Sequence, residues 1–227
     1  MQSATGYRID LRKLGALCKA RGIFLVVDAI QSLGLFPFEA DAWHVSAVSA
    51  ASYKGLCAGN STAFTCYSTE LLAQVWPVYT AAGPFMTTQK SEDGRYELIC
   101  KDMEKARKME NSSLDNIGIY VLHDALEHIL EIGTDRIGAH IMRLYDAMYD
   151  GLSALGFDLV TPKNADEHLG ILSLRTAYLK ELFDYFRSKN ICLSISADTY
   201  IRFSLGGFNN DADVQALLAA AKDCPIR

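Results

Sequence analysis

Residues 23–56 read IFLVVDAIQSLGLFPFEADAWHVSAVSAASYKGL, and this stretch decides the fold. Ile23 to Val27 is a run of apolar, largely β-type residues that stops at Asp28. Such a run, followed at once by small and polar residues, reads as a buried parallel strand ending in a functional loop. Val45 to Ala51 is a second run of this kind, and Lys54 follows it. Ligands of open α/β sheets bind in the crevice at the carboxyl ends of the strands, so Asp28 and Lys54 are expected to face one crevice. Taken singly, each has a blander reading. An Asp after a strand is commonly a turn or helix-cap residue, and a lysine is commonly solvated.

Together the two suit pyridoxal phosphate chemistry. A carboxylate keeps a pyridine nitrogen protonated, so that the ring accepts electrons, and a lysine holds the aldehyde as a Schiff base. The spacing Asp28-x-x-Gln31, with Lys54 26 positions after Asp28, resembles the class V aminotransferase family. That family includes cysteine desulfurases, isopenicillin N epimerase-like proteins, kynureninases and serine–glyoxylate-type aminotransferases. The segment SATGYRIDLRKLGALCKARGIFLVVDAIQSLG (3–34) is similar to a family element of the form TG…Dl..l..l.k..g..lvvDa.Qs.G. ENSSLDN (110–116) resembles a degraded E-x-G-T-x-N, and YIRFSLGGFNN (200–210) resembles the closing x-R-x-S…YNT element. The three matches stand in the family's order and cover nearly the whole chain.

The resemblance implies an α/β chain with a partial fold-type I transferase fold. Residues 1–130 would be the C-terminal portion of a mainly parallel, cofactor-binding large domain, and residues 131–227 a small α/β domain. It implies an aminotransferase-like activity on a small amino acid or keto acid, with pyridoxal 5′-phosphate as cofactor and Lys54 as the Schiff-base lysine. Asp28 would pair with the pyridine nitrogen and Gln31 would contact the ring's phenolic oxygen. Ser52 and Tyr53 would lie by the phosphate, and Ser113 would reach the phosphate of a neighbouring protomer's cofactor. Arg202 would take the substrate carboxylate, for which a planar guanidinium fork is suited. Several positions have alternatives: Gln31 as a loop residue, Ser113 as a helix cap, Arg202 as an exposed strand arginine. Ala51 replaces the serine that relatives often have three before the lysine, and Ser112-Ser113 replaces Gly-Thr. Cys192, ten residues before Arg202, falls inside an expected strand rather than in a mobile loop, which weighs against the desulfurase branch.

The family's earlier strands, its phosphate loop and its ring-stacking residue have no counterpart in these residues. The expectation is therefore the C-terminal portion of a longer enzyme, inactive and binding cofactor weakly or not at all by itself, with a homodimer or a complementing chain as partner. The alternative is a non-catalytic remnant or one half of a split enzyme.

Composition fits this frame. The 227 residues are 50% hydrophobic and 22% charged, with a formal net charge of −5, an ordinary globular balance. No basic patch points to nucleic acid, and no apolar run approaches membrane-spanning length. Six cysteines without CxxC spacing read as buried free thiols, and the expected compartment is the cytoplasm. His123 and His128 are too far round a helix to share a metal.

The pattern predicts a helix from an Asp10 cap to Gly22, then strands over 23–28, 45–50 and 62–67, and a short helix capped by Ser68. Residues 77–112 read as an irregular surface excursion with a helix near 101–109. Helices follow over 114–132 and, capped by Thr134, over 135–154. Strands at 157–160, 169–174, 191–196 and 200–205 and helices at 177–189 and 211–222 complete the reading, with the last two strands forming a hairpin.

Overall fold

The computed structural model describes residues 1–60, 62–77, 86–100, 105–110 and 114–226, without the side chains of residues 86, 87, 98, 100 and 105. Helix α1 (Leu11–Ala20) opens the chain, with the Asp10 carboxylate accepting from the Lys13 N–H as N-cap. Strands β1 (Val26–Asp28), β2 (Ala47–Ala51) and β3 (Ala63–Tyr67) form one sheet in that order. β1 runs parallel to β2, with Asp28 beside Ser49, and β3 returns antiparallel to β2. Asp28 and Lys54 therefore emerge at the same end of two neighbouring strands.

The first strand differs from its sequence reading. It spans three residues rather than six, and it is an exposed edge: Val26 is 62% exposed. Among the described residues only β2 pairs with it, so the side facing away from β2 presents the backbone groups of an edge strand. Residues 40–48 still bury Trp43, Val45 and Val48 together with Ala29, which gives this sheet a small core.

The expected irregular excursion contains regular structure. Strands β4 (Met86–Lys90) and β5 (Tyr96–Cys100) make an antiparallel hairpin closed by Ser91–Arg95. The Asp93 carboxylate accepts from Ser91 and from the Arg95 N–H, and Gly94 takes φ +86°. Asp-Gly between β-prone flanks is a hairpin signal, and the surrounding Pro and charged residues masked it. A 3₁₀ turn occupies Lys105–Met109, inside the expected helix. The short helix α2 (Thr69–Leu72) is capped by Ser68 as expected.

Helices α3 (Asn116–Ile132) and α4 (Thr134–Ala154) meet at Gly133, whose φ of +90° ends one and starts the other. Thr134 is the first helical residue rather than the cap. α4 then packs with α5 (Leu179–Ser188) and α6 (Asp211–Lys222) on a four-stranded antiparallel sheet. That sheet comprises β6 (Asp158–Leu159), β7 (Ile171–Arg175), β8 (Ser194–Ser196) and β9 (Tyr200–Ser204), in the order β6-β7-β9-β8. β8 and β9 form the expected hairpin, but β8 starts at Ser194, so Cys192 is an exposed residue ahead of the strand and not inside it as expected. Leu144, Leu152, Leu172, Leu174, Leu182, Phe186 and Ile201 are fully buried in this larger core.

The sheet alternates strictly in use. Leu172, Leu174, Ile201 and Phe203 face the helices, and Ser173 and Arg202 pair across the register on the other face. That other face meets the start of the chain. The Ser173 hydroxyl donates to the Ala4 carbonyl, Thr161 donates to the Thr5 carbonyl, and Arg202 donates to the Ser3 carbonyl. A further apolar cluster of Phe36, Ile141 and Leu169 joins the first sheet's loop to α4. These contacts carry Arg202 to the loops that follow β1 and β2.

Of the cysteines with described side chains, Cys224 is buried, Cys18 is half-buried, and Cys57, Cys66 and Cys192 are exposed, so the expectation of mostly buried thiols does not hold. Among the described residues no helix is long and apolar enough to cross a membrane.

Candidate active site

Two loops build one side of the site, and they cross backbone against backbone. Gly34 takes φ +85°, and a Cβ there would stand 2.7 Å from the Gly55 carbonyl oxygen. A Cβ on Gly55 would stand 2.5 Å from the Leu33 carbonyl oxygen. Only glycines allow this approach, which sets the loop carrying Gln31 against the loop carrying Lys54.

The Lys54 loop is braced from within. The Cys57 N–H donates to the Lys54 carbonyl at 2.9 Å, and the Ala58 N–H donates to the Ser52 carbonyl at 2.9 Å. The Ser52 hydroxyl lies 2.6 Å from both the Gly59 and Thr62 carbonyl oxygens. From below, Leu56 and Ala58 pack on Leu122, Leu126 and Ile129 of α3.

Arg202 comes from the centre of β9. Its Nη1 donates to the Ser3 carbonyl at 2.9 Å, while its Nε is buried without a hydrogen-bond partner among the described residues. A buried guanidinium N–H left unpaired costs free energy, and an acceptor arriving beside it would recover that cost.

Gln31, Tyr53, Lys54, Cys57 and Arg202 line one cavity of about 310 Å³. Leu35, Leu205 and Phe208 supply an apolar part of its wall. Asp28 lies on an adjoining cavity of about 920 Å³, and the two share Met1 and Leu169. The Asp28 Oδ1 accepts from the Ile30 N–H at 2.9 Å, so this carboxylate is also a turn residue, as its blander reading had it. The Lys54 ammonium lies 5.8 Å from the centre of the Tyr53 ring.

Electrostatics tie these groups together. Burial holds the Lys54 amine below its usual pKa, the Arg202 charge pushes it further down, and Asp28 opposes both. The result is an amine with a raised neutral fraction, the form that attacks a carbonyl, placed beside a guanidinium that favours carboxylates.

Four sequence-derived candidates, Gln31, Tyr53, Lys54 and Arg202, thus share a cavity, with Asp28 next to it. Ser52 does not reach the wall: it is 0% exposed, and its hydroxyl is taken by two backbone carbonyls. Ser113 lies outside the described residues. Sequence reasoning passed over Cys57 and the Leu205–Phe208 turn. The signals available were the closeness of Cys57 to Lys54 in sequence, and the glycine pair that follows the Arg202 strand. No group of three or more potential metal ligands gathers among the described residues.

Known proteins resemble this chain in sequence and in fold. An uncharacterized aminotransferase of Schizosaccharomyces pombe is 24% identical over 207 residues, covering 90% of this chain and 51% of the relative. A probable cysteine desulfurase of Pyrococcus abyssi is 24% identical over 174 residues, covering 76% of this chain and 41% of the relative. The chain thus spans about half the length of the curated relatives it matches. In fold it is similar to the apo cysteine desulfurase of Thermococcus onnurineus NA1, with a TM-score of 0.86 at 20% identity over 98% of this chain and 57% of that one. It is also similar to an alanine–glyoxylate aminotransferase of a Nostoc species, with a TM-score of 0.69 at 20% identity over 96% of this chain and 58% of that one. Relatives named as aminotransferases and as desulfurases match at the same level of identity, so the family is shown and not the branch. The family model Aminotransferase class-V matches residues 1–217, and the chain belongs to that family of pyridoxal phosphate-dependent proteins.

Proposed function

We propose that this chain carries the lysine and the carboxylate-binding arginine of a pyridoxal 5′-phosphate site that transfers the amino group of a small amino acid or receives it on a keto acid. The observation that carries the reading is the Lys54 amine and the Arg202 guanidinium opening on one cavity, with burial first and the Arg202 charge second lowering the proton affinity of the amine. The residues suit the cofactor: an amine of raised neutral fraction, a nearby carboxylate, and an unpaired guanidinium N–H. Bound there, the cofactor would supply an electron sink for the carbon next to the substrate nitrogen.

Each residue then has a task. Lys54 would hold the cofactor's aldehyde carbon and, once released, move a proton at the substrate α-carbon. Asp28 would hold the ring nitrogen protonated through a charge pair. Gln31 and Tyr53 would fix the ring and its phosphate from the cavity wall. Arg202 would take the α-carboxylate, giving up its solvation for a charge-assisted bond. Ser52 acts earlier in the chain of cause, by closing the loop that aims Lys54. Ser113 is assigned the phosphate of a neighbouring protomer's cofactor, within a homodimer. In this reading residues 1–130 serve the cofactor, and residues 131–227 bring the substrate-binding arginine.

The test uses the isolated chain. Incubation with pyridoxal 5′-phosphate followed by borohydride should leave the reduced cofactor's mass on the peptide containing Lys54. Lys54→Ala should lose it. Equal labelling of the variant and the parent would remove Lys54 from its role.

A further inference from the structure

The cavity has a cationic part and an apolar part, and the apolar part is built on a fixed turn. Phe208 is 79% exposed, although it lies on a segment tied at several points. The Gly206 N–H donates to Asn209 Oδ1 at 2.9 Å, and the Asn209 N–H donates to the Gly206 carbonyl at 3.1 Å. Asn209 Nδ2 donates to Asp213 of α6 at 3.0 Å, and the His140 ring of α4 bonds the Asn209 carbonyl at 2.7 Å. The Phe208 ring rests on Gly206, where an added Cβ would meet ring carbons at 2.7 and 3.1 Å. The turn that carries the ring is thus fixed on both sides of Phe208. It stays at the cavity that Lys54 and Arg202 also line. Leu35, Leu169 and Leu205 continue the apolar surface.

A ligand that satisfies both parts has a carboxylate at one end and an apolar group at the other. We infer that Phe208 is a specificity-determining residue, and that the substrate is an amino acid, or its keto acid, with an aliphatic side chain that packs on the Phe208 ring. The inference rests on the proposed role of Arg202 as the carboxylate site. With the carboxylate on Arg202, the side chain of the substrate must leave the cationic part, and the Phe208 and Leu205 surface is the apolar cover offered to it. Serine-like or acidic side chains would lose solvation there without gaining a partner.

Two carboxylates without an amino group probe this directly: propionate and 4-methylpentanoate, titrated into the full 227-residue chain and followed by ligand-observed NMR. Each fully buried methylene strengthens binding by about fourfold. Three added carbons on a partly open wall should give roughly a tenfold preference for 4-methylpentanoate. Phe208→Ala should reduce that preference to threefold or less, while leaving propionate binding unchanged. Phe208→Leu should keep most of it, because the wall stays apolar. The side chain is exposed, so neither change threatens folding. Arg202→Ala should weaken both ligands. If binding depends on Arg202 but shows no preference for the longer ligand, or if Phe208→Ala keeps the full preference, the Phe208 inference is overturned and the carboxylate site stands. If neither carboxylate binds, or Arg202→Ala changes nothing, both fall.

Discussion

Substituting Gly34 by alanine should cost far more than the loss of a glycine, because two separate terms meet there. Its φ of +85° lies in the left-handed region, where a Cβ costs about 1–2 kcal/mol. That Cβ would also stand 2.7 Å from the Gly55 carbonyl oxygen, a backbone atom that cannot swing aside. Forcing such a contact costs roughly 1–3 kcal/mol. The sum is about 2–5 kcal/mol for Gly34→Ala. Gly22 separates the terms. Its φ is +65°, but an added Cβ would meet nothing within 4 Å among the described residues, so Gly22→Ala should cost only the conformational part, about 1–2 kcal/mol. Gly55→Ala supplies the other half: it carries the 2.5 Å contact with the Leu33 carbonyl oxygen without a positive φ, and should cost roughly 1–3 kcal/mol. Urea unfolding of the three variants and the parent gives the differences. Gly34→Ala and Gly55→Ala should also bind pyridoxal 5′-phosphate more weakly than Gly22→Ala does, because only they push the Gln31 loop off the Lys54 loop. If Gly34→Ala lost no more stability than Gly22→Ala, the crossing would not be a constraint, and the account of how the site is assembled would be wrong.

Asp28→Asn should weaken pyridoxal 5′-phosphate binding with little loss of stability: an amide oxygen can still accept from the Ile30 N–H, but it cannot pair with a ring cation. A variant that binds the cofactor as well as the parent would remove the charge pair. His168 is fully buried against the Tyr145 ring at 3.8 Å; burial lowers its pKa first, Arg8 adds to this, and Asp146 and the Lys163 backbone oppose. The unfolded chain therefore takes up this proton first as pH falls through about 6.5, and the stability present above that value drains until the folded pKa is reached. The urea midpoint should rise between pH 5 and 7, and His168→Phe should flatten that rise; an unchanged slope would exclude His168 as its source. Ile117 and Tyr120 are 78% and 77% exposed at the start of α3, ahead of the polar face that His123, Asp124, Glu127 and His128 form further along, which predicts self-association through this end of the helix. Sedimentation should show the association falling when both are changed to lysine, and a monomeric parent chain would contradict the prediction.

The sequence by itself determined the elements whose signals are local. Asp10 and Ser68 cap the helices they were expected to cap, because a capping carboxylate or hydroxyl reaches only two or three residues along the chain. Gly133 divides α3 from α4, and β8 and β9 pair as a hairpin, for equally short-range reasons. The Asp28-x-x-Gln31…Lys54 spacing, with the matches at 3–34, 110–116 and 200–210 in the family's order, was sufficient to name the family before any contact was known. Local pattern also misled where a signal was diluted. The Asp93-Gly94 turn was lost among charges, and the Ile23–Val27 run read as buried although Val26 lies on an open edge. Apolar composition states a preference for burial, and only the arrangement of other elements supplies the cover.

What the tertiary structure decided is who meets whom. Arg202 reaches the Lys54 cavity because the face of β9 opposite its helix-packed side is bound to residues 3–5, a contact spanning nearly the whole sequence. Gln31 stands by Lys54 because two glycines let two backbones touch. Ser52 turned inward, where its one hydroxyl proton lies between the Gly59 and Thr62 carbonyl oxygens of its own loop. Phe208 came to the cavity because the turn that carries it is fastened to α4 and α6 at Asn209. Apart from the bonds inside the Ser52 loop and the Asn209–Asp213 bond, these are hydrogen bonds and steric limits between segments distant in the chain, and no periodicity or spacing records them.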